Sequence, residues 1–174
     1  MTLAEGVLRL NAMSRLEAEA VLLRCCGSVV WARRMAEARP FADAAAVFDA
    51  ADRTWWALSA DDWLEAFRAH PRIGEREAAT PQSAEARAWS EREQSEMARA
   101  PADVRAALDE GNRTYEARFG HIFIVYASGK SAAELLALLS ARMANDPNTE
   151  LRAAAEEQRK ITRLRLERML GGKE

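Results

Sequence analysis

Apolar positions recur three and four residues apart along most of the chain, and the residues between them carry helix start and stop signals. "SRLEAEAVLLRCCG" opens on Ser14 with Glu17 three residues later, the pairing of a capping box, and closes at Gly27. "SVVWARRMAEARP" follows the same logic and stops at Pro40. "DAAAVFDAADRTWWAL" sets Val47, Phe48, Ala51, Trp55 and Leu58 on one helical face. "SADDWLEAFRAH" starts at Ser59 with acids in its first turn, and brings Trp63 and Phe67 together. The stretch "PRIGEREAATPQS" reads as a loop, and a helix resumes through "AEARAWSEREQSEMARA". Pro101 suits the first turn of a helix that ends at Gly120. Ser131 and Glu134 form a second capping box, and Asp146-Pro147 opens a long final helix that runs to about Leu170.

"HIFIVYASGK" breaks this pattern. Its β-branched and aromatic residues favour a strand, but a lone strand has no partner to bond. It is expected to be a buried extended segment or a short helix with tertiary support. The chain is therefore predicted to be all-α, a single compact domain over 1–174 with about eight or more helices.

At 174 residues the chain is long enough to bury a real core, and 49% hydrophobic with 30% charged residues is a globular composition. Lys+Arg 25 against Asp+Glu 27 leaves a net charge of −2, so nucleic acid has no basic surface to bind. No apolar run reaches the length of a membrane span, and "MTLAEGVLRL" lacks the regions of a signal peptide, so the expected location is the cytoplasm. The adjacent pair Cys25-Cys26 lacks CxxC spacing and reads as two small helical residues in a reducing compartment. Two histidines without HExxH spacing argue against a zinc hydrolase, and Walker, GxGxxG and GxSxG motifs are missing.

Three places carry candidate chemistry. In "RAHPRIGERE" the proline disfavours helix at His70, so the helix ends at or before it. A helix C-terminus favours the protonated ring, which suits general acid–base work, although a simple interaction with the last carbonyls is the commoner use. In "WSEREQSE", Ser90, Glu93 and Gln94 stand at i, i+3 and i+4 and share a helix face. That face offers a hydroxyl, a carboxylate and an amide to a small molecule, or is simply solvated. In "KITRLRLERML", Arg163 and Arg165 lie about 200° apart around the helix. Arg165 can fork onto a carboxylate, or snorkel at the surface. His121 is read as structural.

The order of these stretches matters more than any one of them. "AHPRIGE", "SEREQ", "RFGHIFIVYASGKS", "RMANDPNTEL" and "KITRLRL" together resemble the OHCU decarboxylase family, from about Leu8 to Leu170. The family's substrate is 2-oxo-4-hydroxy-4-carboxy-5-ureidoimidazoline. The resemblance implies an all-α carboxy-lyase with no metal and no organic cofactor, acting after urate oxidase and 5-hydroxyisourate hydrolase to yield (S)-allantoin. It implies catalytic roles for His70, Glu93 and Arg165. Pro71, Ser90, Gln94 and the segment Ile124, Val125, Tyr126 and Ala127 are expected to bind substrate, the last four through backbone groups. A homodimer is also implied. The rival expectations are a catalytically inactive partner module, and a cofactor-free lyase acting on another ureido or imidazoline compound.

Overall fold

The computed structural model describes residues 1–75 and 78–172. Among these the regular elements are nine α-helices and one short 3-10 helix, the all-α class that the apolar spacing predicts. The chain divides into two compact units, Met1–Ala66 with Arg159–Glu174, and Phe67–Gln158.

The first unit holds α1 (Leu3–Ala12), α2 (Arg15–Cys26), α3 (Val29–Glu37) and α4 (Ala44–Trp56). Helix α5 (Ala60–Arg68) and helix α9 (Pro147–Gly171) contribute residues to both units. Local chemistry sets the ends of these helices. Thr2 and Glu5 close a capping box on α1, a start that the apolar pattern did not reveal, and Ser14 and Glu17 close the expected one on α2. Ser28 and Asp43 accept from the third backbone N–H of α3 and α4. Such caps are worth about 1 kcal/mol each.

Apolar packing does the rest. Leu22, Cys25, Cys26, Trp31, Met35 and Val47 are completely buried, and Phe48, Ala51 and Trp55 are buried along the predicted face of α4, with Leu58 buried two residues past its end. Each large side chain contributes about 1.5–3 kcal/mol by leaving water. Trp31 and Trp63 also place their indole N–H on the carbonyls of Ala51 and Trp55, so neither ring buries an unmet donor. The tightest approach is at Gly6, where a Cβ would lie 1.9 Å from the Leu170 carbonyl oxygen. Only glycine permits that contact between α1 and the end of α9. Both cysteines are buried on α2 and form no disulfide.

The second unit contains α6 (Ala84–Glu93), the 3-10 helix Ser95–Arg99, α7 (Ala102–Phe119) and α8 (Ala132–Arg142). Its core joins Ile73, Met97, Leu108, Tyr115, Phe123, Val125, Leu135 and Leu139. Ser131 and Glu134 cap α8, and Asp146 accepts from the N–H groups of Asn148 and Thr149 to start α9. Residues 122–127 belong to neither helix nor strand, and Phe123, Ile124, Val125 and Ala127 are buried. The helical reading of this stretch therefore does not hold, and it is a buried segment outside any regular element.

Candidate functional site

Helix α5 ends at Arg68, two residues before His70, in keeping with the restriction that Pro71 imposes. The chain leaves the helix through a turn in which the His70 N–H donates to the Phe67 carbonyl at 3.1 Å. His70 is only 7% exposed and Pro71 is buried with it.

Beyond Pro71 the loop is fixed by side chains distant in sequence. The Arg72 guanidinium forks onto the Glu116 carboxylate of α7 and reaches Glu75 at 3.1 Å. Its pKa is raised, first by the hydrogen bonds to Glu116 and then by those to Glu75. Asn112, also on α7, donates its amide to the Ile73 carbonyl at 3.0 Å. Gly74 has φ +93°, a conformation that disfavours any side chain.

Ser90 and Glu93 occupy the last turn of α6, and both are buried at 3% and 8% exposure. Gln94 stands at the very end of α6. It is the C-cap, with φ −108° and ψ 21°, and its Oε1 accepts the Gly74 N–H at 2.8 Å. The Gln94 N–H still donates to the Ser90 carbonyl at 3.2 Å, and the 3-10 helix begins at Ser95. Another amide ties α6 to the histidine. Gln82 Nε2 donates to the Ala69 carbonyl at 2.7 Å and to Ser90 Oγ at 3.4 Å, while Ser90 Oγ donates to the Ala86 carbonyl at 3.1 Å. One side chain thus bridges the residue before His70 and the Ser90 hydroxyl.

The backbone of 124–127 is largely engaged within the protein. Arg142 Nη1 donates to the Ile124 carbonyl at 2.6 Å, and the Tyr126 N–H donates to Glu157 Oε2 at 2.7 Å. Lys130 Nζ donates to the Tyr126 carbonyl at 2.8 Å, and the Lys130 N–H to the Ala127 carbonyl at 3.0 Å. The Val125 N–H and carbonyl take part in none of these bonds. His121, just upstream, sits among the rings of Phe67, Tyr115 and Phe119, with Nδ1 2.9 Å from the Ile122 carbonyl. Burial lowers its pKa, which fits the structural role expected of it.

Arg165 belongs to the first unit. It is 2% exposed, so it does not snorkel. The thiol of Cys26 lies near it and near the Thr162 hydroxyl, and burial still pushes that thiol up to about 12. Arg163 behaves as the opposite face predicts. Its side chain is 46% exposed, lies over the Phe48 ring and faces Glu167 at 3.5 Å. Among the described residues no cluster of three or more His, Cys, Asp or Glu side chains is placed to hold a metal ion.

One constellation escaped the reading of the sequence. Glu150, fully buried, accepts from Tyr115 Oη, from Arg142 and, at 2.8 Å, from Asn145 Nδ2. Burial and the neighbouring carboxylate raise the Tyr115 pKa well above the ordinary phenol range. Arg142, Asn145 and Glu150 all come from "RMANDPNTEL", a stretch singled out by resemblance but given no task. The signal was present as two opposite charges eight residues apart astride a helix start.

The chain is thus all-α, with a histidine, a serine and a glutamate buried in one compact unit. It is a member of the OHCU decarboxylase family, whose model matches residues 11–167. The chain is 38% identical over 149 residues to the uric acid degradation bifunctional protein TTL of Arabidopsis thaliana, covering 86% of this chain and 46% of that protein. It thus spans about half the length of that plant relative. It is 30% identical to the 2-oxo-4-hydroxy-4-carboxy-5-ureidoimidazoline decarboxylase of Haloferax volcanii, across 78% of this chain and 77% of the other. A crystal structure of an OHCU decarboxylase determined in the presence of (S)-allantoin superposes with a TM-score of 0.73 at 38% identity, covering 85% of this chain and 95% of that one. A crystal structure of an (S)-allantoin synthase shares the fold, with a TM-score of 0.67 at 18% identity over 92% of this chain and 52% of that one.

Proposed function

We propose that the chain acts over 1–174 as one functional domain that decarboxylates 2-oxo-4-hydroxy-4-carboxy-5-ureidoimidazoline to (S)-allantoin without a cofactor. The observation that carries the reading is the joint burial of His70, Ser90 and Glu93 in a member of this family, with Gln82 linking the histidine turn to the serine.

The reaction breaks the bond between the ring carbon and its carboxylate, releasing CO₂. The electron pair enters the adjacent ring π system, giving an enolate or enamine, so the substrate is its own electron sink. His70 takes a proton from the 4-hydroxyl or a ring N–H and later returns one to the ring carbon from a single face, which sets the product's configuration. Glu93 accepts ureido or ring N–H groups, and Ser90 donates to a ring carbonyl. Gln94 uses the amide N–H that remains after its Oε1 is committed to Gly74. Pro71 fixes the imidazole beside the substrate. The Val125 peptide groups, flanked by Ile124, Tyr126 and Ala127, meet an edge of the ring. The role of Arg165, holding a substrate carboxylate or carbonyl, rests on the resemblance.

The substrate follows urate oxidase and 5-hydroxyisourate hydrolase chemistry, which links the protein functionally to those enzymes. A cytoplasmic homodimer is part of the same proposal. No helix among the described residues is long and apolar enough to cross a membrane, and Leu8, Leu16 and Val29 leave apolar surface on the first unit for a second copy.

The test is circular dichroism of product formation, with the substrate generated in the cuvette from urate by the two preceding enzymes. Fast appearance of the (S)-allantoin signal is expected. His70→Asn should lower kcat by about 10²–10⁴ while leaving the helical spectrum intact. Racemic product formed only at the uncatalysed rate by the wild-type protein overturns the function, and wild-type kcat in His70→Asn overturns the histidine's role.

A further inference from the structure

The "RMANDPNTEL" stretch has no part in the chemistry above, yet its arginine reaches the segment that does. Arg142 donates to the Ile124 carbonyl, and Glu157 accepts from the Tyr126 N–H. These two bonds fall on the two peptide units that flank Val125. The peptide between Ile124 and Val125 carries the Ile124 carbonyl and the Val125 N–H. The next carries the Val125 carbonyl and the Tyr126 N–H. Both are trans, since the one cis bond among the described residues is Arg39–Pro40. In a planar trans peptide the C=O and N–H point in opposite directions. Turning the Ile124 carbonyl to Arg142 therefore turns the Val125 N–H the other way, and turning the Tyr126 N–H to Glu157 does the same for the Val125 carbonyl.

We infer that Arg142 and Glu157 are positioning residues that present the Val125 N–H and carbonyl together as a donor and an acceptor for an amide-like edge of the substrate. The inference rests on the decarboxylase reading of this segment. The complementary partner is a –C(=O)–NH– unit, of the kind found in a cyclic urea or a ureido arm, which offers an acceptor and a donor side by side. Arg142 is itself held from three sides. Its guanidinium engages Glu150, lies 4.6 Å from the centre of the Phe123 ring and reaches the Ile124 carbonyl. Glu150 is fixed in turn by Tyr115 and Asn145. A fork pinned in this way can hold one carbonyl in one direction, which the single point charge of a lysine cannot do while also meeting Glu150.

Binding through an edge that does not react contributes equally to ground and transition states, so its loss appears in KM and not in kcat. A loss of folded protein does the reverse, lowering apparent kcat at constant KM. The experiment measures both constants by the dichroism assay in wild type, Arg142→Lys, Glu157→Ala, Glu157→Gln and Tyr115→Phe, with Tm recorded for each. Arg142→Lys and Glu157→Ala should raise KM about tenfold, the scale of one hydrogen-bonded group misaligned, with kcat within about twofold. Glu157→Gln keeps an acceptor for the Tyr126 N–H and should restore KM. Tyr115→Phe removes one bond to Glu150 and a long 3.5 Å one from Arg142 Nη2, but leaves the Arg142 bonds to Glu150 and to the Ile124 carbonyl, so it should lower Tm without moving KM.

Unchanged KM in Glu157→Ala alongside normal wild-type turnover overturns the positioning role even where Arg142→Lys fails to fold. An equal rise of KM in Tyr115→Phe also overturns it, because general loosening then accounts for the effect. Absence of wild-type turnover is the separate outcome that removes the decarboxylase reading itself.

Discussion

Helix α2 closes its own backbone hydrogen bonds from the Ser14 cap to Gly27, whereas residues 122–127 run buried with no helix or strand to close theirs. The helix needs only apolar neighbours, and Leu22, Cys25 and Cys26 supply a fully buried face. The irregular segment needs polar partners as well, because a buried peptide group without one is costly. Arg142, Glu157 and Lys130 meet that need from α8, α9 and the turn before α8. Backbone that is not consumed by a regular element can be aimed at a ligand, and a charged side chain must then hold it in place. Packing secures the first region, and the buried ion pair of Arg142 with Glu150 supports the second.

Removing the polar support should have the largest effect on stability. Glu150→Ala leaves the Arg142 guanidinium buried without its carboxylate and should cost about 3–5 kcal/mol, read by urea unfolding. It should also raise KM, since the Ile124 carbonyl loses a fixed donor. A cost below about 1 kcal/mol would mean that the segment is held by its apolar side chains after all.

Truncating the apolar support should cost nearly as much but read out differently. Leu22→Ala on α2 should destabilise by about 2–5 kcal/mol through the cavity it leaves, with KM unchanged. A shift in KM there would erase the distinction between the two regions.

The smallest effect concerns pH. The Cys26 thiol is pushed up to about 12 by burial, from an ordinary 9.0. The folded state therefore holds the proton that the unfolded chain releases. The thiol's contribution to stability is complete below about pH 9 and is lost as pH rises toward 12. Unfolding of wild type and Cys26→Ala at about pH 8 and about pH 10.5 should show the wild type losing more stability at the higher pH. Equal losses would mean that the thiol is not shielded.

Much of this molecule follows from short-range chemistry. The capping boxes at Ser14 and Ser131, the Asp146 cap, the stops at Gly27 and Gly120, and the end of α5 before His70 each involve residues within a few positions of one another. The sequence by itself therefore determined the all-α class, most helix ends and the candidates His70, Ser90 and Glu93. Only the tertiary structure decided what Gln94 does, because the Gly74 N–H it accepts from lies twenty residues away. It likewise decided that Arg165 is buried while Arg163 is exposed, since helical spacing separates two faces without naming the inner one. The partners of 122–127 lie up to 31 residues distant, at Tyr126 and Glu157. A buried backbone with no ladder takes whatever polar group the fold brings to it, and no local pattern records which one that is.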